Sequence, residues 1–173
     1  MGRMRIGQLI VRSLCASLLV AAAAEAGDPV RGDPLFRITR NKNDNVVCYD
    51  VRQVGGKLDA DSPVSVYWMI PSEKNKLETL TFLERKKAYG VNVVNAFGRD
   101  SIDIMLSAAK KPFRVTLRDS RWVALLTIDS LEVVVDSLFV MADESSTMPK
   151  VQWVEIMGHS PVTGESLRKR IAK

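Results

Sequence analysis

From residue 35 onward the chain is patterned with a period of two. In LFRITR (35–40), Phe36 and Ile38 fall on one face and Arg37 and Thr39 on the other, the alternation of a strand with one buried face. VVCYDVR (46–52) repeats it with Val47, Tyr49 and Val51, and VSVYWMI (64–70) with Val64, Val66, Trp68 and Ile70. Between the first two lies NKNDN (41–45), whose Asn and Asp side chains bond their own backbone and tolerate left-handed geometry, so the pair predicts a hairpin. GGKLDADSP (55–63) predicts the next loop. VNVVNAF, IDIMLSA, FRVTLRD, RWVALLTI, LEVVVDSLFVMAD and VQWVEIMG predict further strands, with Asp129 and Ser130 turning the chain between two of them.

One stretch breaks this period. Thr81 and Glu84 have the T-x-x-E spacing of a capping box, in which each residue satisfies a backbone N–H of the other. Lys86 and Lys87 suit the negative end of a helix, and Gly90 stands where a helix C-terminus favours a residue of positive φ. A short helix over about 80–89 follows, extendable toward Leu77. The tail ESLRKRIAK (165–173) fits a short C-terminal helix or a frayed basic end. Seven to nine short strands with one short helix predict a mainly β fold, an antiparallel β-sandwich or barrel-like single domain.

The N-terminus follows different rules. Arg3, Arg5 and Arg12 precede the apolar run SLCASLLVAAAA, and AEA (24–26) offers small residues for cleavage. This is the layout of a secretory signal peptide, and the apolar run is short for a membrane span. The expected organisation is a signal peptide (1–26), a flexible arm (27–34) and a β-rich domain with a basic tail (35–173), in the periplasm or outside the cell. Removing the leader takes three of the 25 Lys and Arg and one of the 20 Asp and Glu, leaving a net charge of +3. With both signs interspersed, this balance gives no nucleic-acid footprint, and no second apolar stretch can cross a membrane as a helix.

Cys15 would leave with the leader, so Cys48 stands alone and no internal disulfide is expected. Its apolar surroundings predict a buried thiol. One Cys and one His cannot build a zinc site. DADS (59–62) resembles half of a calcium loop but lacks its Gly and distal Glu. No metal and no cofactor are expected. His159, just past Gly158, reads as a turn residue, and no G-x-S-x-G elbow or phosphate-binding glycine loop is present. Asp50, Glu84, Asp100 and Asp103 can supply carboxylates, which the sequence alone does not place.

The order LFRITRNKNDNVVCYDVR, LDADSPVSVYWM, LTFLERKKAYG and WVEIMGHSPVTGESLRKRI resembles an uncharacterised family of secreted bacterial domains, domain of unknown function 4833. The most specific pieces are RNKN with the following CYD, Tyr67-Trp68, and ERKKAYG. The resemblance implies a bacterial source, export and a single β-rich domain. It carries over no catalytic residue.

The polar residues around these motifs form the candidate ligand site: Arg37, Arg40, Asn41, Asp50, Glu84, Arg85 and Tyr89. Three readings compete, one of them a merely solvated charge run. Arg can offer a planar fork to a carboxylate or phosphate, with Tyr67, Trp68 and Tyr89 as walls. Alternatively, Arg pairs with Asp50 or Glu84 in a buried link between helix and sheet. The motifs favour a non-enzymatic exported binding module. The alternatives are a small metal-independent enzyme using carboxylate, Tyr and Arg or Lys groups, and an envelope assembly protein that binds a partner. The expected ligand or partner is an anionic small molecule or an envelope protein.

Overall fold

The computed structural model describes residues 31–143, 145 and 149–172. The signal-peptide region and the first half of the expected arm lie outside them. The described chain is mostly strand: β1 (Asp33–Arg40), β2 (Val46–Val51), β3 (Gln53–Val54), β4 (Lys57–Leu58), β5 (Val64–Ile70), β6 (Lys76–Thr79), then a helical segment, then β7 (Val91–Ala96), β8 (Ser101–Leu106), β9 (Phe113–Arg118), β10 (Arg121–Ile128), β11 (Leu131–Asp143), β12 (Lys150–His159) and β13 (Ser166–Ala172). β3 and β4 form a separate hairpin, and the other eleven make one sheet.

β11 organises that sheet. Along one edge it pairs with β12, from Val134 to Asp143, and β12 pairs in turn with β13. Its other edge is shared. Leu131 to Val134 pair with β10, and Ser137 to Val140 pair with β1. Two arms therefore leave the same edge, β1-β2-β5-β6 and β10-β9-β8-β7. They curl toward each other into a half-barrel with the core between them. Phe36 stacks on Tyr49 within the first arm, with centroids 4.4 Å apart, and on Phe113 of the second at 5.3 Å. The inward residues are those the alternation predicts, among them Phe36, Ile38, Val47, Tyr49, Val51, Val64 and Trp68, all buried.

All strand pairs but one are antiparallel; β1 and β11 run parallel, so the sheet is mixed where the sequence suggests an antiparallel one. The join is reinforced by Asn41, whose side chain donates to the Ala142 carbonyl and accepts from the Ala142 N–H, both at 3.0 Å. Tight turns close the β9–β10 and β10–β11 hairpins. Asp119 and Ser120, and Asp129 and Ser130, all have positive φ, as the type I′ turns favoured by twisted hairpins require.

Three expectations need correction. The tail forms no helix: β13 pairs with β12 across its whole length. Arg168 and Arg170, two apart and so on one face, both reach the buried carboxylate of Glu155. That charge needs partners, and a strand delivers both. Asp33 and Pro34, expected in the arm, already belong to β1, where Asp33 faces Val51 on β2. Nor does the helix extend to Leu77, which belongs to β6 and pairs with Met69.

The helical segment is one α-turn, α1 (Phe82–Glu84), continued by a π-turn (Arg85–Tyr89). Both halves of the capping box form. Glu84 N–H donates to Thr81 Oγ1 at 3.3 Å, and Thr81 N–H donates to Glu84 Oε2 at 2.8 Å. Gly90 ends the segment for a different reason than positive φ, since its φ is −60°. A Cβ there would lie 2.1 Å from the Arg85 carbonyl oxygen and 2.9 Å from Ser107 Oγ. The Arg85 carbonyl accepts from both the Gly90 N–H (3.1 Å) and Ser107 Oγ (2.6 Å). This crowded contact fixes the segment to the end of β8 and leaves no room for a side chain.

Candidate functional site

Strand parity divides the seven candidate residues. Phe36, Ile38 and Arg40 occupy the inner face of β1, and Arg37 the outer. On β2, Tyr49 is inner and Asp50 outer. Arg37 and Asp50 therefore meet on the outside of the sheet, and Arg40 lies at the rim of its inside.

The outer group is a closed network. Asp50, almost fully buried, accepts from Arg37 Nη1 at 2.7 Å, from Tyr67 Oη at 2.6 Å and from the Gly32 N–H at 3.3 Å. Arg37 Nη1 also donates to the carbonyls of Phe36 and Tyr49. Burial, reinforced by the hydrogen bond to Asp50, pushes the Tyr67 phenol far above its ordinary value. Cys48 lies in the same layer, in register between Tyr67 and Arg37. Burial raises its thiol despite the opposing charge of Arg37, so it is no activated nucleophile. His159 is paired elsewhere, with Nδ1 at 3.1 Å from Asp136 Oδ2.

The inner group lines a cleft of about 240 Å³ at the open end of the first arm, between the β1–β2 turn, β5, β6 and the start of α1. Its floor is Trp68. The Arg40 guanidinium lies over the Trp68 ring, 5.1 Å from its centre, within the range of a cation–π contact. Trp68 Nε1–H donates to Glu84 Oε1 at 3.2 Å. Glu84 Oε2 is held by Thr81 through its N–H and its hydroxyl, each at 2.8 Å. Thr79, Thr81 and Asn45 add polar groups, Ile70 an apolar side, and Glu78 a carboxylate already bound by Lys76 at 2.7 Å. Arg40 Nε–H is buried and meets no acceptor among the described residues.

Of the seven residues, Arg40 and Glu84 thus come together in the cleft, and Arg37 and Asp50 together behind it. Asn41 pins β11 instead. Arg85 Nε donates to the Leu80 carbonyl at 3.3 Å beside its own helix. The Tyr89 ring packs edge-on against Trp68 at 5.3 Å, and its carbonyl accepts from Tyr49 Oη at 2.9 Å. Asn45, Glu78 and Thr79 were not expected at the site. Asn45 reads as a turn residue, and Glu78 and Thr79 fall where the sequence suggests helix. Pairing of β6 with β5, which sets Glu78 opposite Trp68, brings them in.

Asp103, Asp59 and Glu155 are held by partners within the fold. Burial raises the Asp103 carboxyl, but hydrogen bonds from Arg114 and Asn95 outweigh it and hold it below its ordinary value. Asp59 accepts from the backbone of Asp61 and Ser62 and pairs with Arg52, so DADS closes a turn. Glu155 is lowered by its hydrogen bond from Arg168, with the charges of Arg168 and Arg170 adding to it. A depressed carboxyl stabilises the fold above its unfolded value and loses that contribution as pH falls through its folded value. The wild type should therefore hold a constant margin over Glu155→Gln above about pH 4.5, the ordinary Glu value. The margin should shrink below it; urea titrations at stepped pH measure this, and a margin independent of pH down to 2 would refute it.

Fold and site together define a single half-barrel β-domain with a small polar cleft at its rim. Residues 36–170 match the model of a family described as domain of unknown function (DUF4833), and the chain belongs to that family. No curated protein and no solved structure matches it.

Proposed function

We propose that the domain is a non-enzymatic binding module that takes a small anion, a carboxylate or phosphate, into the cleft above Trp68. The observation that supports this most is the state of Arg40. Its guanidinium lies over an indole, its Nε–H is buried without an acceptor, and it forms no ion pair among the described residues. A buried donor left unmet costs about 1–3 kcal/mol. A guanidinium without an ion-pair partner suits a ligand with two coplanar oxygens. The cleft's carboxylates speak against catalysis, since Glu84 is committed to the helix cap and Trp68, and Glu78 to Lys76.

Arg40→Ala should abolish binding of acetate or inorganic phosphate in calorimetric titrations. Its urea midpoint should stay near that of the wild type, because the contact with Trp68 is lost together with the unmet donor and no internal hydrogen bond goes with them. A large fall in the midpoint would instead make Arg40 a structural residue. We also propose that the protein acts after export, in the periplasm or outside the cell. The charge and apolar pattern of residues 1–26 supports this, and recovery of the protein only from the cytoplasmic fraction of fractionated cells would refute it.

A further inference from the structure

We propose that the ligand of this cleft is a zwitterion, a free α-amino acid or similarly compact α-amino carboxylate; this rests on the anion-binding reading of Arg40 and adds a cationic half to it. Two opposite charges, Arg40 and Glu84, line one small cleft, yet no ion pair joins them. Each is held by its own anchors. Arg40 lies over the face of Trp68. Glu84 is fixed at the indole edge by Trp68 Nε1–H and by the two Thr81 donors. The capping box therefore does more than start a helix: it keeps a carboxylate from swinging across to the arginine.

A fixed pair of separated opposite charges is complementary to a ligand carrying the reversed pair. A carboxylate fits the guanidinium fork. An ammonium, with three donors, fits a carboxylate that has already taken three hydrogen bonds and retains lone-pair capacity, with the Thr79 and Thr81 hydroxyls beside it. The size agrees: about 240 Å³ is below the usual range for drug-sized ligands, about 300–1,000 Å³. An anion alone would leave Glu84 as a nearby repulsive charge, which discriminates against simple acids.

The test is a calorimetric titration of the full domain with the common free amino acids, acetate and inorganic phosphate. The amino acid that binds tightest is then compared with its N-acetyl and carboxamide derivatives. The free amino acid should bind at least about tenfold more tightly than either derivative. Glu84→Gln keeps a side chain that suits the capping box; it should remove that preference over the N-acetyl form and leave binding of the N-acetyl form unchanged or improved. Arg40→Ala should remove binding of both. If the N-acetyl form, acetate or phosphate binds as well as the free amino acid, or if no amino acid binds below about 10 mM while a simple anion does, the zwitterion assignment is overturned and the anion reading stands. If neither amino acids nor simple anions bind, both fail.

Discussion

Replacing Asp50 with alanine should lower the unfolding free energy by about 3 kcal/mol or more, the scale seen when one partner of a buried charge pair is removed. Asp50 accepts from the Tyr67 hydroxyl and closes the network around Arg37. Without it a buried phenol and a half-buried guanidinium lose their partner, and each unmet group carries its own desolvation penalty. Asp50→Asn should cost less, because it still offers Tyr67 an oxygen. Tyr67→Phe, which removes the donor, should cost about 1–2 kcal/mol. Combining Tyr67→Phe with Asp50→Ala should be clearly less than additive. Urea titrations of the four variants read this out. Full additivity would mean that the 2.6 Å contact contributes nothing of its own.

Trp68→Ala should be comparably severe and should also abolish ligand binding. The indole is buried, packs edge-on against Tyr89, supports Arg40 and donates to Glu84. Truncating a buried aromatic costs about 3–5 kcal/mol. Trp68→Phe separates the two effects. It keeps most of the packing and a face for Arg40 but removes the Nε1–H that holds Glu84. Its stability loss should be the smaller one, while its ligand affinity falls sharply. If Trp68→Phe binds as well as the wild type, the anchoring of Glu84 by the indole has no role in recognition.

The strands were legible because their alternation is local. Any segment with one face in the core must place apolar residues at every second position, and Phe36-Ile38, Val47-Tyr49-Val51 and Val64-Val66-Trp68-Ile70 do so. The capping box was legible for the same reason, since Thr81 and Glu84 act on each other across three residues. The parallel joining of β1 to β11 was not, because it brings Arg37 beside Ser137 and nothing near either residue announces the other. The tail was misread because Leu167 and Ile171, four apart, fit a helix as well as a strand. What decides is Glu155, a buried charge on another strand.

The same parity could have sorted the candidate site. Arg40 continues the inner series Phe36-Ile38, which places a cation on the core side at the end of a strand. Arg37 and Asp50 fall on the other side of their strands and could not share a cleft with it. The contribution of Glu78, Thr79 and Asn45 needed the pairing of β6 with β5, which sequence does not set.

If Arg40 receives the ligand, its own side-chain resonance reports the event. In a ¹⁵N–¹H spectrum of the arginine side chains, assigned by its loss in Arg40→Lys, the Arg40 Nε–H should shift downfield and saturate as acetate, phosphate or the tightest-binding amino acid is added. The Arg37 Nε–H should stay in place in the same titration. An Arg40 signal that does not move at concentrations well above those used in calorimetry, in a protein that remains folded, would rule Arg40 out as the group that holds the ligand.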